Sequence, residues 1–210
     1  MRALVFANGE PPSTRLIDEL RKDADLVVAA DGGVDKALAL GVVPDAVVGD
    51  FDSASDASRE LIPGEGLILA EDPDHTDLQK AVAFALQQGC HEIDVVCAGG
   101  GRADHALANL SILALSGEGT VIRVIDDLFE VTRVDSRADI DAPVGTVVSL
   151  VAIGVCTGVS TSGLRWELHD RTLAFSPLGV HNELVRTPAS VTVGEGLLLL
   201  FRGRFVEKHQ

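Results

Sequence analysis

The 210-residue chain is long enough for one large domain or two small ones with real cores. At 46% hydrophobic and 23% charged residues it has the balance of a folded protein, not a disordered one. A net charge of -15 repels nucleic-acid backbones and sets nucleic acid aside as a partner, although a small nucleotide stays admissible if a metal ion and local cations offset its charge.

In chain order, Leu4–Ala7, Leu26–Ala30, Ala46–Val48, Leu67–Leu69, Ile93–Val96 and Val121–Ile125 read as strands. Their apolar runs are continuous, as expected of strands covered on both faces in a parallel sheet. Helices are predicted near 14–22, 34–40, 55–61, 77–88 and 102–116. The helix at 77–88 opens on Thr76-Asp77-Leu78-Gln79, a capping-box pattern. The helix at 102–116 has the cleanest apolar stripe: Ala103, Ala106, Leu107, Leu110, Leu113 and Ala114. This alternation predicts an α/β domain with a mostly parallel, Rossmann-like sheet over 1–127, with ligands at the carboxyl ends of the strands. Beyond it, over 128–210, the short stretches Thr146–Ile153, Leu173–Ser176, Ser190–Val193 and Leu197–Phe201 predict an all-β, sandwich-like domain. Pattern alone leaves the boundary open between roughly 118 and 140.

Cys90, Cys97 and Cys156 show no C-x-x-C spacing and suit buried thiols in a reducing compartment. The apolar runs Ala3–Ala7 and Gly196–Phe201 are too short for a secretory signal or a bilayer span. A cytoplasmic enzyme without membrane contact is expected.

The strand ends are acidic. The second strand runs into Asp31-Gly32-Gly33 and the third into Gly49-Asp50-Phe51-Asp52-Ser53. The fourth is followed by Asp72-Pro73-Asp74-His75-Thr76-Asp77, the fifth by Gly99-Gly100-Gly101-Arg102-Ala103-Asp104-His105, and the sixth by Asp126-Asp127. Carboxylates crowded on one rim repel each other unless a cation lies among them. All-oxygen donors without a His/Cys cluster point to Mg2+, and Mg2+ points to substrate phosphates.

Each piece also has a plainer reading. Asp50 and Asp52 either shape a turn or, two apart in extended backbone, reach one ion together. Asp77 either favours the first turn of its helix or binds metal, and Lys80 is either its surface partner or a phosphate cation. The glycines before Arg102 suit close approach of phosphate, yet no Walker A or complete G-x-G-x-x-G pattern is present. Arg102, His105 and Asn109 form a polar stripe that is either solvated or functional. Trp166, the only tryptophan, is either core or a plane on which a flat cationic ring stacks. Asn182 is a turn residue or a polar contact to that ring. An Asp-x-Asp after a strand also opens haloacid-dehalogenase-type phosphatases, but there it follows the first strand, and here the third.

Taken together, Ala30-Asp31-Gly32-Gly33, Gly49-Asp50-Phe51-Asp52-Ser53, Asp74-His75-Thr76-Asp77 with Lys80, Gly100-Gly101-Arg102-Ala103-Asp104-His105 with Asn109, Gly163-Leu164-Arg165-Trp166-Glu167-Leu168 and Asn182-Glu183 resemble thiamine pyrophosphokinases in order and spacing. The resemblance spans about residues 3 to 203. It implies transfer of a diphosphate from ATP to the thiamine hydroxyl by a homodimer with active sites between subunits. It further implies Mg2+ on Asp50, Asp52 and Asp77, with Asp104 nearby as a fourth catalytic carboxylate. Asp31, Gly32, Gly33, Lys80, Arg102, His105 and Asn109 fall on the ATP side, and Ser162, Trp166 and Asn182 in the thiamine pocket. His181 departs from the serine common before that asparagine.

Overall fold

A computed structural model describes residues 1–117 and 119–206; positions 207–210 of the expected second domain lie outside the described residues. The chain divides into two compact units, Met1–Asp127 and Leu128–Gln210. Among the described residues no helix is long and apolar enough to cross a membrane.

The first unit alternates strand and helix: β1 (Arg2–Phe6), α1 (Thr14–Arg21), β2 (Leu26–Ala30), α2 (Gly33–Ala39), β3 (Ala46–Gly49), α3 (Asp56–Arg59), β4 (Leu67–Leu69), α4 (Asp77–Gln87), β5 (Glu92–Val96), α5 (Ala103–Asn109) and β6 (Val121–Ile125). These strands lie in the order β4-β3-β2-β1-β5-β6, and every pairing among them is parallel. The continuous apolar runs are explained by burial on both faces. Leu4, Phe6, Val27, Ala29 and Val47 pack against Leu16, Ile17 and Leu20 of α1 and Val34 and Ala37 of α2. The α4 residues Leu78, Ala81, Val82 and Ala85 are also buried, and α4 lies on β2 and β3. Ser13 caps α1 through its hydroxyl, and the capping box expected at Thr76 and Gln79 is present.

The helix expected at 102–116 is corrected. α5 ends at Asn109 and buries none of its residues, and a 3-10 segment continues over Leu110–Leu115. Tightening from 3.6 to 3.0 residues per turn re-aims Ile112 and Leu113 into the core, while Leu107 stays 59% exposed. The apolar stripe is real, but only part of it is covered.

The second unit holds β7 (Phe129–Val134), β8 (Arg137–Ile140), β9 (Thr146–Ser162), β10 (Arg171–Ala174), β11 (Asn182–Glu183), β12 (Ala189–Thr192) and β13 (Glu195–Val206). Its pairings are all antiparallel. The long β9 pairs with β13, β10, β11 and β12, and the core holds Val148, Leu150, Cys156, Leu173, Leu184, Val191 and Leu198. β9 runs past the expected stop at Ile153. Gly154 and Gly158 take φ of +85° and +66°, which bends the strand without ending it. All three cysteines are buried and free, and burial pushes the Cys97 thiol up to about 12.

Candidate active site

The strand order of the first unit reverses at β1 and β5, the position at whose carboxyl ends ligands sit in an open α/β sheet. A cavity of about 380 Å³ lies there. Its lining includes Asn8 and Gly9 after β1, Asp31 and Gly32 after β2, Ser53, Thr76 and Asp77, and Gly100, Gly101, Arg102, His105 and Asn109 after β5. The two walls touch through backbone: Gly9 N donates to Cys97 O at 2.7 Å and Glu10 N to Gly99 O at 2.8 Å. A Cβ on Gly9 would sit 2.3 Å from Gly99 O, so only glycine permits this closeness.

Three carboxylates from successive loops meet at the cavity's edge. Asp31, Asp50 and Asp77 each offer an oxygen, and the three atoms lie within 4.8 Å of one another. Asp31 stands in left-handed backbone (φ +42°) at the end of β2, a conformation that Asp tolerates better than most residues. Its side chain passes over Gly49, where a Cβ would come within 2.8 Å of the Asp31 Cβ. The buried Asp31 carboxylate accepts from Ser53 N (3.0 Å) and Ala54 N (3.3 Å). Asp77 is the first residue of α4 and accepts from Lys80 Nζ at 3.0 Å. A second hollow of about 400 Å³ also reaches Asp50 and Asp77 and is lined by Lys80 and His75. His75 Nδ1 lies 2.7 Å from Asp72 Oδ2.

Burial raises the Asp31 carboxyl above the ordinary carboxylate range. The Ser53 N–H opposes this, and the charges of Asp77 and Asp52 add to it. A carboxyl raised in the folded state contributes stability below its unfolded value, and that contribution is lost as pH rises through the folded one. Ionised Asp31 therefore costs stability at neutral pH unless a counter-charge joins it. Three carboxylates, one of them buried, are the all-oxygen donor set that a hard divalent cation takes.

This cluster differs from the expected ligand trio. Asp52 is not among the three: Phe51 adopts φ +64°, so residues 50 and 52 do not share a face as they would in extended backbone. Asp52 instead accepts from Ser53 Oγ at 2.8 Å, and its own N–H donates to Asp50 Oδ1. Asp31, expected on the nucleotide side, takes its place. Gly33 is buried against Phe6 O and does not line the cavity, whereas Gly32 does. Lys80 lines the second hollow only.

Two further strand-end carboxylates, Asp127 and Asp104, are paired with neighbours. Asp127 accepts from Ser13 N and Oγ at 2.7 and 2.6 Å. Asp104 grips Arg102 through two contacts of 3.1 and 2.6 Å, which hold its carboxyl down at about 2. Arg102, His105 and Asn109 do line the cavity, and Asn109 Nδ2 is anchored to Ala98 O at 2.8 Å. Asn8, Gly9, Ser53 and Thr76 were not singled out from the sequence. The Asn8-Gly9 signal was there, a polar residue and a glycine closing the first strand.

In the second unit Trp166 is 60% exposed, which removes its core reading. Its backbone is clamped by Asn182: Trp166 N donates to Asn182 Oδ1 (3.2 Å) and Asn182 Nδ2 to Trp166 O (2.8 Å). The Arg165 guanidinium lies 5.8 Å from the ring centroid. Ser162 connects to the same turn through Arg186, which bonds both Ser162 Oγ (3.1 Å) and Glu167 (3.0 Å).

The family model for the thiamin pyrophosphokinase catalytic domain matches residues 17–124, a little over half of the chain. The model for the vitamin B1 binding domain of the same enzymes matches residues 133–198. The chain belongs to the thiamin pyrophosphokinase family. Thiamine pyrophosphokinase of Bacillus subtilis is 27% identical over 217 residues, covering 96% of this chain and 99% of that protein. Thiamine pyrophosphokinase 3 of rice is 29% identical over 162 residues, which cover 70% of this chain and 61% of the rice protein. Among solved structures, the Bacillus subtilis family member superposes with a TM-score of 0.82 at 24% identity, covering 97% and 99% of the two chains; this shows the fold. A probable thiamine pyrophosphokinase from Staphylococcus saprophyticus gives 0.72 at 26% identity, covering 98% and 100%. The two family segments fall one on each compact unit, and the carboxylate cluster lies in the catalytic one.

Proposed function

We propose that this chain is an ATP-dependent thiamine diphosphokinase, transferring a diphosphate from ATP to the hydroxyl of thiamine and releasing AMP. One observation carries the reading: Asp31, Asp50 and Asp77 converge beside a glycine-walled cavity at the strand-order reversal of a family catalytic domain. The parallel first unit is read as a Rossmann-like nucleotide platform and the antiparallel second unit as a sandwich that carries the thiamine contacts.

Mg2+ is assigned to Asp31, Asp50 and Asp77; when bound, it neutralises phosphate oxygens and the charge that develops on them during transfer. The chain itself supplies position and further positive charge. Gly101, at φ +61° with open space where a Cβ would stand, leaves its backbone free for close approach by phosphate. Arg102 and Lys80 provide positive charge. Asp104 holds the Arg102 fork, and while so paired its carboxyl is a poor proton acceptor. Trp166 offers a flat face to the thiamine rings, and Asn182 fixes the backbone from which that ring projects.

A homodimer with each site formed between subunits belongs to the same reading, and sedimentation equilibrium checks it. Cytoplasmic placement is likewise proposed, supported by three free, buried thiols.

Mass spectrometry after incubation with ATP, Mg2+ and thiamine tests the function directly. AMP with thiamine diphosphate is expected; ADP with thiamine monophosphate overturns the diphosphate transfer. Trp166→Ala is expected to raise the thiamine KM about tenfold, the scale of one desolvated cation–π contact. Because the ring is exposed, the melting temperature should stay near that of the wild type. An unchanged KM removes Trp166 from the pocket.

A further inference from the structure

The loop carrying Asp50 is tied down by two carboxylates, Asp31 just after β2 and Asp35 on α2. Asp31 takes the N–H groups of Ser53 and Ala54. Asp35, on α2, takes Ser55 N at 3.3 Å, Ser55 Oγ at 2.7 Å and the Ser58 hydroxyl. Ser55 in turn caps α3, its Oγ accepting from Ser58 N at 3.2 Å. Every amide from Ser53 to Ser55 thus points at a carboxylate rooted at β2 or α2. The Ser58 hydroxyl does most to hold the Asp35 carboxyl below its ordinary range, followed by the Ser55 groups. Asp35 is neither in the carboxylate cluster nor in the cavity lining.

We infer that Asp35 is a positioning residue for the divalent-cation site, fixing the 53–58 segment so that Asp50 meets Asp31 and Asp77. The inference rests on the Mg2+ assignment made above. Its physical content is that three cation ligands come from separate loops, and the Asp50 loop has no regular pairing of its own before α3. With the Asp35 bonds in place, little ordering is left for the cation to drive. Without them, binding must also order the loop, and the apparent affinity falls.

The test is Mn2+ binding to the full chain without substrates, followed by electron paramagnetic resonance well below the melting temperature. Asp35→Ala is expected to weaken binding about tenfold or more, within the range seen when partners that orient metal ligands are removed. Asp35→Asn keeps the shape and can still accept the serine hydroxyls but not the Ser55 N–H, so a smaller loss in the same direction is expected. It also stands in if the alanine variant does not fold. The Mg2+ concentration for half-maximal activity should rise in parallel, with kcat at saturating Mg2+ close to the wild type. A merely structural role would lower the melting temperature and leave cation affinity alone. Folded variants that bind Mn2+ within twofold of the wild type overturn the inference. If the wild-type protein binds no Mn2+, the cation assignment itself fails and the inference goes with it.

Discussion

Asp50→Asn should lower turnover by about a hundredfold to a thousandfold, the loss typical when one group stabilising transition-state charge is removed. The substitution is nearly isosteric, and the asparagine oxygen can still accept the Asp52 N–H, so the loop should keep its course. What it removes is one of three negative charges within 4.8 Å. A thermal melt separates this from a folding defect. A cation held at a hundred times its Kd stabilises the native state by about 2.7 kcal/mol. For a chain of this size that corresponds to a rise of about 5–10 °C in the wild-type melting temperature. In Asp50→Asn the rise should nearly vanish, while the melting temperature without cation stays level or increases because repulsion has been relieved. Wild-type turnover at saturating Mg2+ would remove Asp50 from the site.

Gly33→Ala should have the largest effect on stability. A Cβ there would lie 2.2 Å from Phe6 O and 3.1 Å from Ala7 O, both backbone atoms at the end of β1 that no side-chain rotation can clear. α2 must move off the sheet. Overpacking of this kind costs about 1–3 kcal/mol, or about 2–12 °C in melting temperature for a chain of this length. Because α2 carries Asp35 and follows Asp31, the ATP KM should rise as well. A variant with wild-type stability and KM would show that α2 has slack at this contact.

Much of the first unit was legible because burial on both faces writes an unbroken apolar word for each strand; all six were found. The antiparallel unit was harder. β8 holds Arg137 and Asp139, ion-paired at 2.6 Å, and β11 is two residues long, so neither carries an apolar run. At the site, residue types and strand-end positions were readable, and four of the five lining loops were flagged, all but the one after β1. Loop handedness was not readable. The left-handed Phe51 keeps Asp52 out of the carboxylate cluster, and the left-handed Asp31, expected on the nucleotide side, stands in it. Nothing in Asp-Phe-Asp betrays a positive φ at its centre. The Asp35 brace was equally hidden, since hydroxyl-to-carboxylate bonds between α2 and α3 depend on how two helices pack.

The neighbour that completes the site beside β1 is synthesised late: Arg2 to Phe6 align with Glu92 to Val96, and the loop after β5 supplies Gly100, Gly101, Arg102, His105 and Asn109 to the cavity. A nascent chain that has emerged only through α4 can assemble β1 to β4, but one edge of β1 then lacks its partner. That edge is apolar and able to pair with strands of other chains. Completion of the cavity and pairing of this margin both wait for β5, so chains stalled just before β5 should be the aggregating species.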